Sequence, residues 1–313
     1  MAALAEIGKE QPRPGVVRQL GETLRTFLEE CLRGCRYDWR HHEDVLTQSM
    51  SAGDAVLVTF RLSAAELYTV PWELVWLKSA ECYLGELENC LVQYQWPGAP
   101  RAAPPSPVPG RLAFGWSAAG GNVPAAEHLQ ALRQVSRCDG PEEPDLIPEL
   151  SLAGLEGALR RAATSGRPIT ALHLLCHGGP TKGGTWGLLW STGGIDRRAE
   201  VMDGASLRRV LSPYRESLRV VVICACRGSY ADPDNALGSV SQVLHRLGIP
   251  IVISSRLPLS QEGSVRFARA FYEKPHEGID STRRAFLRAR AGPGMPQSFD
   301  WAALQLYAGN GAI

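Results

Sequence analysis

The chain has 313 residues, enough for one large domain or two smaller ones. With 44% hydrophobic and 21% charged residues it reads as an ordinary globular protein, and a formal charge of +1 excludes the basic footprint of a nucleic-acid binder. No apolar run reaches the roughly 18 residues of a membrane-spanning helix, and the first residues, "MAALAEIGKEQPRPG", have too short an apolar stretch for a signal peptide and carry Glu6 and Glu10. The expectation is a cytoplasmic protein whose eight cysteines, too sparse for a disulfide scaffold, are free thiols.

Residues 16–35 carry Val17, Leu20, Leu24, Phe27, Leu28 and Leu32 at helical spacing, with Cys31 and Cys35 near that stripe and expected to be buried on it. "DAVLVTFRL" and "CLVQYQWP" read as strands on either side of "VPWELVWL". Within that middle segment, Trp72 is expected to pack and Glu73 to satisfy buried backbone groups. "PGAPRAAPPSPVPG" can be neither helix nor central strand and reads as an extended linker. The pattern then alternates. "RLAFGWSA", "ITALHLLC", "LRVVVICAC" and "IPIVISSR" are short apolar strands. "AAEHLQALRQVSR", "ELSLAGLEGALRRAATSG", "SLRRVLSPY", "ALGSVSQVLHRLG", "QEGSVRFARAFYEK" and "STRRAFLRARA" are helices, and "WAALQLYAG" closes the chain. Apolar strands that do not alternate, separated by helices, predict an α/β domain with a mostly parallel sheet covered on both faces. The organisation expected is a helical extension over 1–53, a first α/β part over 54–96, a linker over 97–110 and the main part over 111–313.

In such sheets the chemistry sits beyond the carboxyl ends of the strands. Two strand ends carry reactive groups: "LHLLCHGG", ending in Cys176, His177, Gly178 and Gly179, and "VVVICACRGS", which holds Cys224 and Cys226. Glycines beside them let the backbone turn sharply and a substrate approach closely. A cysteine–histidine dyad is one reading, with a thiolate nucleophile and an imidazole as proton shuttle. "ACRG" matches the last four positions of the caspase-type pattern Q-A-C-[RQG]-G, whose histidine lies about 50 residues upstream; Cys224 stands where the pattern has Gln, and His177 precedes Cys226 by 49 residues. The rivals are buried strand thiols and a zinc module made of Cys176, His177, Cys224 and Cys226. That ligand set lacks the usual loop spacing, and adjacent strand residues face opposite sides. His173, inside its strand, reads as a satisfied core histidine, and no phosphate-binding loop is present.

On these residues, and on "VPWELV", "GIPIVISSRLPLSQEGSVRFARAFYE" and "WAALQLYAG", the sequence resembles the CHAT domain, the branch of the caspase-like cysteine peptidases that includes relatives of separase. The resemblance implies a caspase-like α/β/α sandwich, preceded by a smaller half that in this family is often an inactive copy of the protease. It implies a bacterial cysteine endopeptidase, with Cys226 as nucleophile, His177 as general base or acid, and the backbone N–H of Gly178 in the oxyanion hole with that of Cys226. No cofactor is implied.

Cys224 occupies the position that sets the residue recognised before the cut in Arg/Lys-specific relatives, where Asp stands, and in caspases, where Gln stands. It would make the pocket less charged. Arg256 would favour an acidic or polar residue there, or is a solvated edge residue; Asp232 and Asp234 would favour a basic one. The strand holding Ser254 and Ser255 is expected to pair with the extended substrate. Partners implied are a protein substrate, such as a gasdermin or another neighbouring effector in a bacterial antiviral defence or conflict system, and a separate sensor or activator; nucleic acid and membrane are not. The alternative is a catalytically silent CHAT scaffold binding a partner in the same cleft.

Overall fold

The computed structural model describes residues 13–99, 110–139, 143–181, 186–193, 198–225, 239–257, 259–274, 278–291 and 300–309. Two helices come first, α1 (Pro14–Cys31) and α2 (Trp39–Ser51), the second capped by Asp38, which accepts from the His41 amide. Strand β1 (Val56–Arg61) follows, then 3₁₀ turns at Ala65–Thr69 and Trp72–Leu74, the small hairpin β2 (Trp76–Leu77) and β3 (Cys82–Tyr83), and β4 (Cys90–Gln95). "VPWELVWL" thus holds a 3₁₀ turn at Trp72–Leu74 and the strand β2, with Trp72 buried and stacked on Phe60.

Beyond residue 110 come β5 (Arg111–Trp116), α3 (Ala125–Asp139), β6 (Asp145–Ile147), α4 (Leu152–Thr164) and β7 (Ile169–Leu175). An antiparallel three-strand patch is made of β8 (His177–Pro180), β9 (Trp186–Ser191) and β10 (Ala199–Met202). Then come α5 (Gly204–Leu211), β11 (Val220–Cys224), α6 (Val240–Leu247), β12 (Ile251–Ser255), α7 (Gln261–Phe271), α8 (Ile279–Ala291), the short α9 (Asp300–Ala303) and β13 (Leu304–Ala308).

The main sheet has eight strands in the order β1-β4-β13-β12-β11-β7-β5-β6. Its pairings are parallel except for β12 against β13. Every residue of β11, β12 and β13 is buried, which is why these segments read as unbroken Val/Ile/Leu runs rather than alternating ones. Right-handed crossovers fix the layers. The chain leaves β5 in one direction to β6 and returns past it to β7, so α3 falls on one face and α4 on the other; α5 and α6, on crossovers in that second direction, join α4. On the first face α3 packs on α7, and α7 on α8.

The helix ends follow local chemistry. Ser151, Ser239 and Ser260 cap α4, α6 and α7 by accepting from the backbone N–H three residues on. Gly248, with φ of 101°, ends α6 in the left-handed region that favours glycine.

Three expectations change. Among the described residues β1 and β4 of the first part extend the main sheet, because β4 borders β13, and β2 and β3 pair only with each other. Cys31 and Cys35 are exposed, since the stretch of α1 that packs toward Leu74 and Trp76 buries Val17, Gly21 and Leu24, while Cys31 is the last residue of the helix and Cys35 follows it. The strand β12 cannot receive a substrate strand, since β11 and β13 already occupy both its edges. No helix among the described residues is long and apolar enough to cross a membrane.

Candidate active site

The order β6-β5-β7-β11-β12 places the switch point of the sheet between β5 and β7, where crossovers depart in opposite directions and a crevice opens beyond the carboxyl ends. Three chain segments meet there: the loop after β5, His177 after β7, and Ala225 after β11.

The loop after β5 reads "SAAGGNVP". It is tied down by the Ser117 amide, which donates to the Leu175 carbonyl at 3.0 Å, and by the turn from the Gly121 amide to the Ala118 carbonyl at 3.0 Å. Gly120 and Gly121 have φ of 89° and 144°. A Cβ at Gly121 would lie 3.2 Å from His177 Nε2, and one at Gly120 would lie 2.9 Å from Leu189. The two glycines therefore bring the backbone against the imidazole, and the Asn122 carbonyl lies 3.3 Å from His177 Nε2. A carbonyl only accepts, so Nε2 carries the proton and Nδ1 of the neutral ring is left as the basic nitrogen. The same carbonyl accepts from the Gln261 side chain at 3.3 Å. Asn122 escaped the sequence reading because its contribution is backbone; the Gly-Gly after a strand end was the available signal.

Opposite it, β7 and β11 run side by side, with Leu175 facing Cys224 and the Cys176 amide donating to the Cys224 carbonyl at 3.2 Å. The Cys224 thiol is buried, and burial, reinforced by the neighbouring Cys176, pushes it well up. It is a protonated bystander. Cys226, two residues on, lies outside the described residues, as do Asp232 and Asp234. Gly178 follows His177 on β8, half-buried, in register with Leu188 of β9. A pocket of about 80 Å³ opens between these segments, with Val123, Leu259 and Ser264 in its walls beside His177, Cys224 and Ala225.

Ser254, Ser255 and Arg256, expected to touch substrate, are engaged in the core. The Ser254 hydroxyl meets that of Ser241 on α6, and Ser255 donates to the Ala225 carbonyl. Arg256 is 1% exposed. Its guanidinium donates to both carboxylate oxygens of Glu73 at 2.8 Å, to the Tyr94 hydroxyl at 2.9 Å and to the Val70 carbonyl. A side chain so bound offers nothing to a substrate. Glu73 for its part pairs with this guanidinium and accepts from the Tyr94 hydroxyl at 2.8 Å, rather than serving backbone groups.

Among the described residues, the group whose donor atoms converge closely enough to hold a metal is His128, His173 and Cys224, and not the set containing Cys176 and His177. His173 is fully buried with both ring nitrogens engaged, one with His128 at 3.0 Å and one with the Tyr272 hydroxyl at 2.9 Å. Burial lowers the pKa of His128 to about 4 and holds that of His173 well below the ordinary value.

The fold and this strand-end histidine define the class: an α/β sandwich around a mostly parallel sheet, with a histidine presented at its switch point. The CHAT domain family matches residues 37–310, and the chain belongs to that family. No curated protein matches it. Two solved structures overlap it at a distance. One is a secreted C11 cysteine protease from Bacteroides thetaiotaomicron in complex with an irreversible peptide inhibitor, at 10% identity and a TM-score of 0.37, covering 57% of each chain. The other is a cystathionine β-lyase-like protein involved in aluminum resistance from Clostridium acetobutylicum, at 9% identity and a TM-score of 0.29, covering 96% of this chain and 66% of that one. At these scores neither overlap bears on activity.

Proposed function

We propose that the protein is a cysteine endopeptidase that uses Cys226 as nucleophile and His177 as its proton partner. The observation that carries this reading is the His177 ring: the Asn122 carbonyl claims Nε2–H and leaves Nδ1 free, beside the exit of the strand that leads into Cys226. A histidine oriented by a third group is what an activated thiol requires. Nδ1 takes the thiol proton, and the thiolate attacks the scissile carbonyl. The same proton then passes to the leaving amine, and water, deprotonated by Nδ1, releases the acyl group. The Gly178 amide is the proposed oxyanion donor, a contribution of the order of 3 kcal/mol in related sites. The described walls of the pocket carry no carboxylate or guanidinium, which supports a small uncharged residue before the cut. A protein substrate and a separate activator are proposed on family resemblance.

The test uses the isolated chain and its own controls. Cys31 and Cys35 are exposed. With limiting iodoacetamide, Cys226 is expected to alkylate well ahead of both by peptide mass spectrometry, and His177→Ala to remove that advantage. Cys226→Ala and His177→Ala should each abolish cleavage of a partner protein. Equal alkylation of Cys226 and Cys31, with or without partners, would instead favour a silent scaffold.

A further inference from the structure

Beneath the pocket lies a cluster that the proposed peptidase chemistry does not use. His128 comes from α3, His173 from β7 and Cys224 from the end of β11. All three are buried, and one donor atom from each lies within 4.8 Å of the other two. We infer that His128, His173 and Cys224 form a binding site for Zn²⁺, with water entering from the pocket as fourth ligand.

The geometry supports this in three ways. First, His128 Nδ1 and His173 Nε2 face each other at 3.0 Å. Two nitrogens on a tetrahedral zinc, each about 2.0–2.1 Å from it, stand about 3.3 Å apart. The N–N separation has to grow by only about 0.3 Å, with the rings turning to aim at the ion. Second, the far nitrogen of each ring is already held: His173 Nδ1 by the Tyr272 hydroxyl at 2.9 Å, His128 Nε2 by the Ser264 hydroxyl at 3.3 Å. Metal-binding histidines characteristically have such an outer partner, which fixes the ring and the nitrogen it presents. Third, Cys224 and Ser264 both line the pocket, so an ion and a water have a path in. Two imidazoles and one thiolate are a donor set suited to Zn²⁺.

The protein does not need the ion to fold. One arrangement of protons satisfies the whole chain without it. The Tyr272 hydroxyl donates to His173, His173 Nε2–H donates to His128, His128 Nε2–H donates to Ser264, and the Ser264 hydroxyl donates to the Gln261 carbonyl at 2.7 Å. Binding exchanges the His128–His173 hydrogen bond for two Zn–N bonds and one Zn–S bond. The Cys224 thiol loses its proton to solvent, and His173 shifts its proton from Nε2 to Nδ1, where it is donated to the Tyr272 hydroxyl in place of the bond that hydroxyl had donated, so both imidazoles bind neutral. The site is therefore reversible, and it acts on the residue two before Cys226.

Co²⁺, a spectroscopic stand-in for zinc, tests this on the full chain carrying Cys226→Ala, which removes the thiol two residues on from Cys224; Cys176, which also lines the pocket, would show as a second sulfur. One Co²⁺ per chain is expected, with a thiolate-to-cobalt charge-transfer band that Zn²⁺ abolishes by displacement. Cys224→Ser and His128→Gln should each eliminate the band, while Cys31→Ser and Cys35→Ser retain it. Tyr272→Phe should weaken binding about 10–100-fold and keep the band. X-ray absorption on the zinc-loaded Cys226→Ala chain gives a readout that needs no variant at the site: two imidazoles and one sulfur are expected around zinc. No stoichiometric metal, a sulfur-free or two-sulfur shell, or a band that survives Cys224→Ser overturns the assignment. Because Cys226 is absent throughout, none of these outcomes depends on the peptidase reading.

Discussion

At the scale of single residues, the two thiols of the "CACRGS" strand end are unequal. Cys224 is buried where it lines the pocket, and burial pushes its thiol pKa up, while Cys226 comes two residues later in the sequence. The glycine at 121 matters as much as either side chain. With φ of 144° and its Cβ position 3.2 Å from His177 Nε2, it sets the distance between the Asn122 carbonyl and the ring. Gly121→Ala is expected to lower kcat/KM about 100-fold, the cost of misplacing a catalytic group by about 1 Å, with the fold retained by circular dichroism. Unchanged kcat/KM would mean that the carbonyl does not orient the ring. The strand-end placement of His177 was legible because glycines follow it directly after an apolar run. Asn122 was not, since a carbonyl leaves no side-chain signature. Arg256 was misread for a different reason. An arginine ending a strand looks the same in sequence whether it meets solvent or a carboxylate 183 residues away.

At the scale of elements, that pair joins the 3₁₀ turn at Trp72–Leu74 to the end of β12. The two side chains are 1% and 2% exposed. Truncating one partner leaves the other charge buried without compensation, which costs about 3–5 kcal/mol. Glu73→Ala should lower the unfolding free energy measured by urea titration by that amount, and a change under about 1 kcal/mol would count against the pair as a structural latch. The strands and helices after residue 110 were legible because each buries a continuous apolar face. The helix α2 was not, because Trp39, Glu43 and Leu46 are its buried positions and one of the three is a carboxylate. Glu43 is buried by pairing with Arg25 and accepting from the Ser79 amide at 2.8 Å, contacts that a hydrophobic pattern does not reveal. The short strands β6 and β10 offered only three and four residues of signal.

For the molecule as a whole, buried histidines set the response to acid. Burial holds His128 and His245 at about 4 and His173 well below its ordinary value. The native state keeps them neutral while the unfolded chain takes up protons below about pH 6.5, so stability falls as pH falls through that point and keeps falling toward 4. Each group contributes a loss of up to about 1.4 kcal/mol per pH unit. Urea unfolding between about pH 7 and pH 5 should show this slope, reduced by one group's share in His245→Gln; a flat profile would show these histidines charged in the native state. The eight-stranded sheet has a further consequence. Its two blocks, β1 with β4 and β12 through β6, touch through β13 alone. The strand synthesised last among those described is therefore the keystone. Until it arrives, the first two strands of the sheet have been waiting through more than two hundred residues of synthesis with no border to join. When it does arrive, it brings Tyr94 and Glu73 from the early part of the chain up to Arg256. Closing the sheet and pairing the buried charges therefore depend on the same strand.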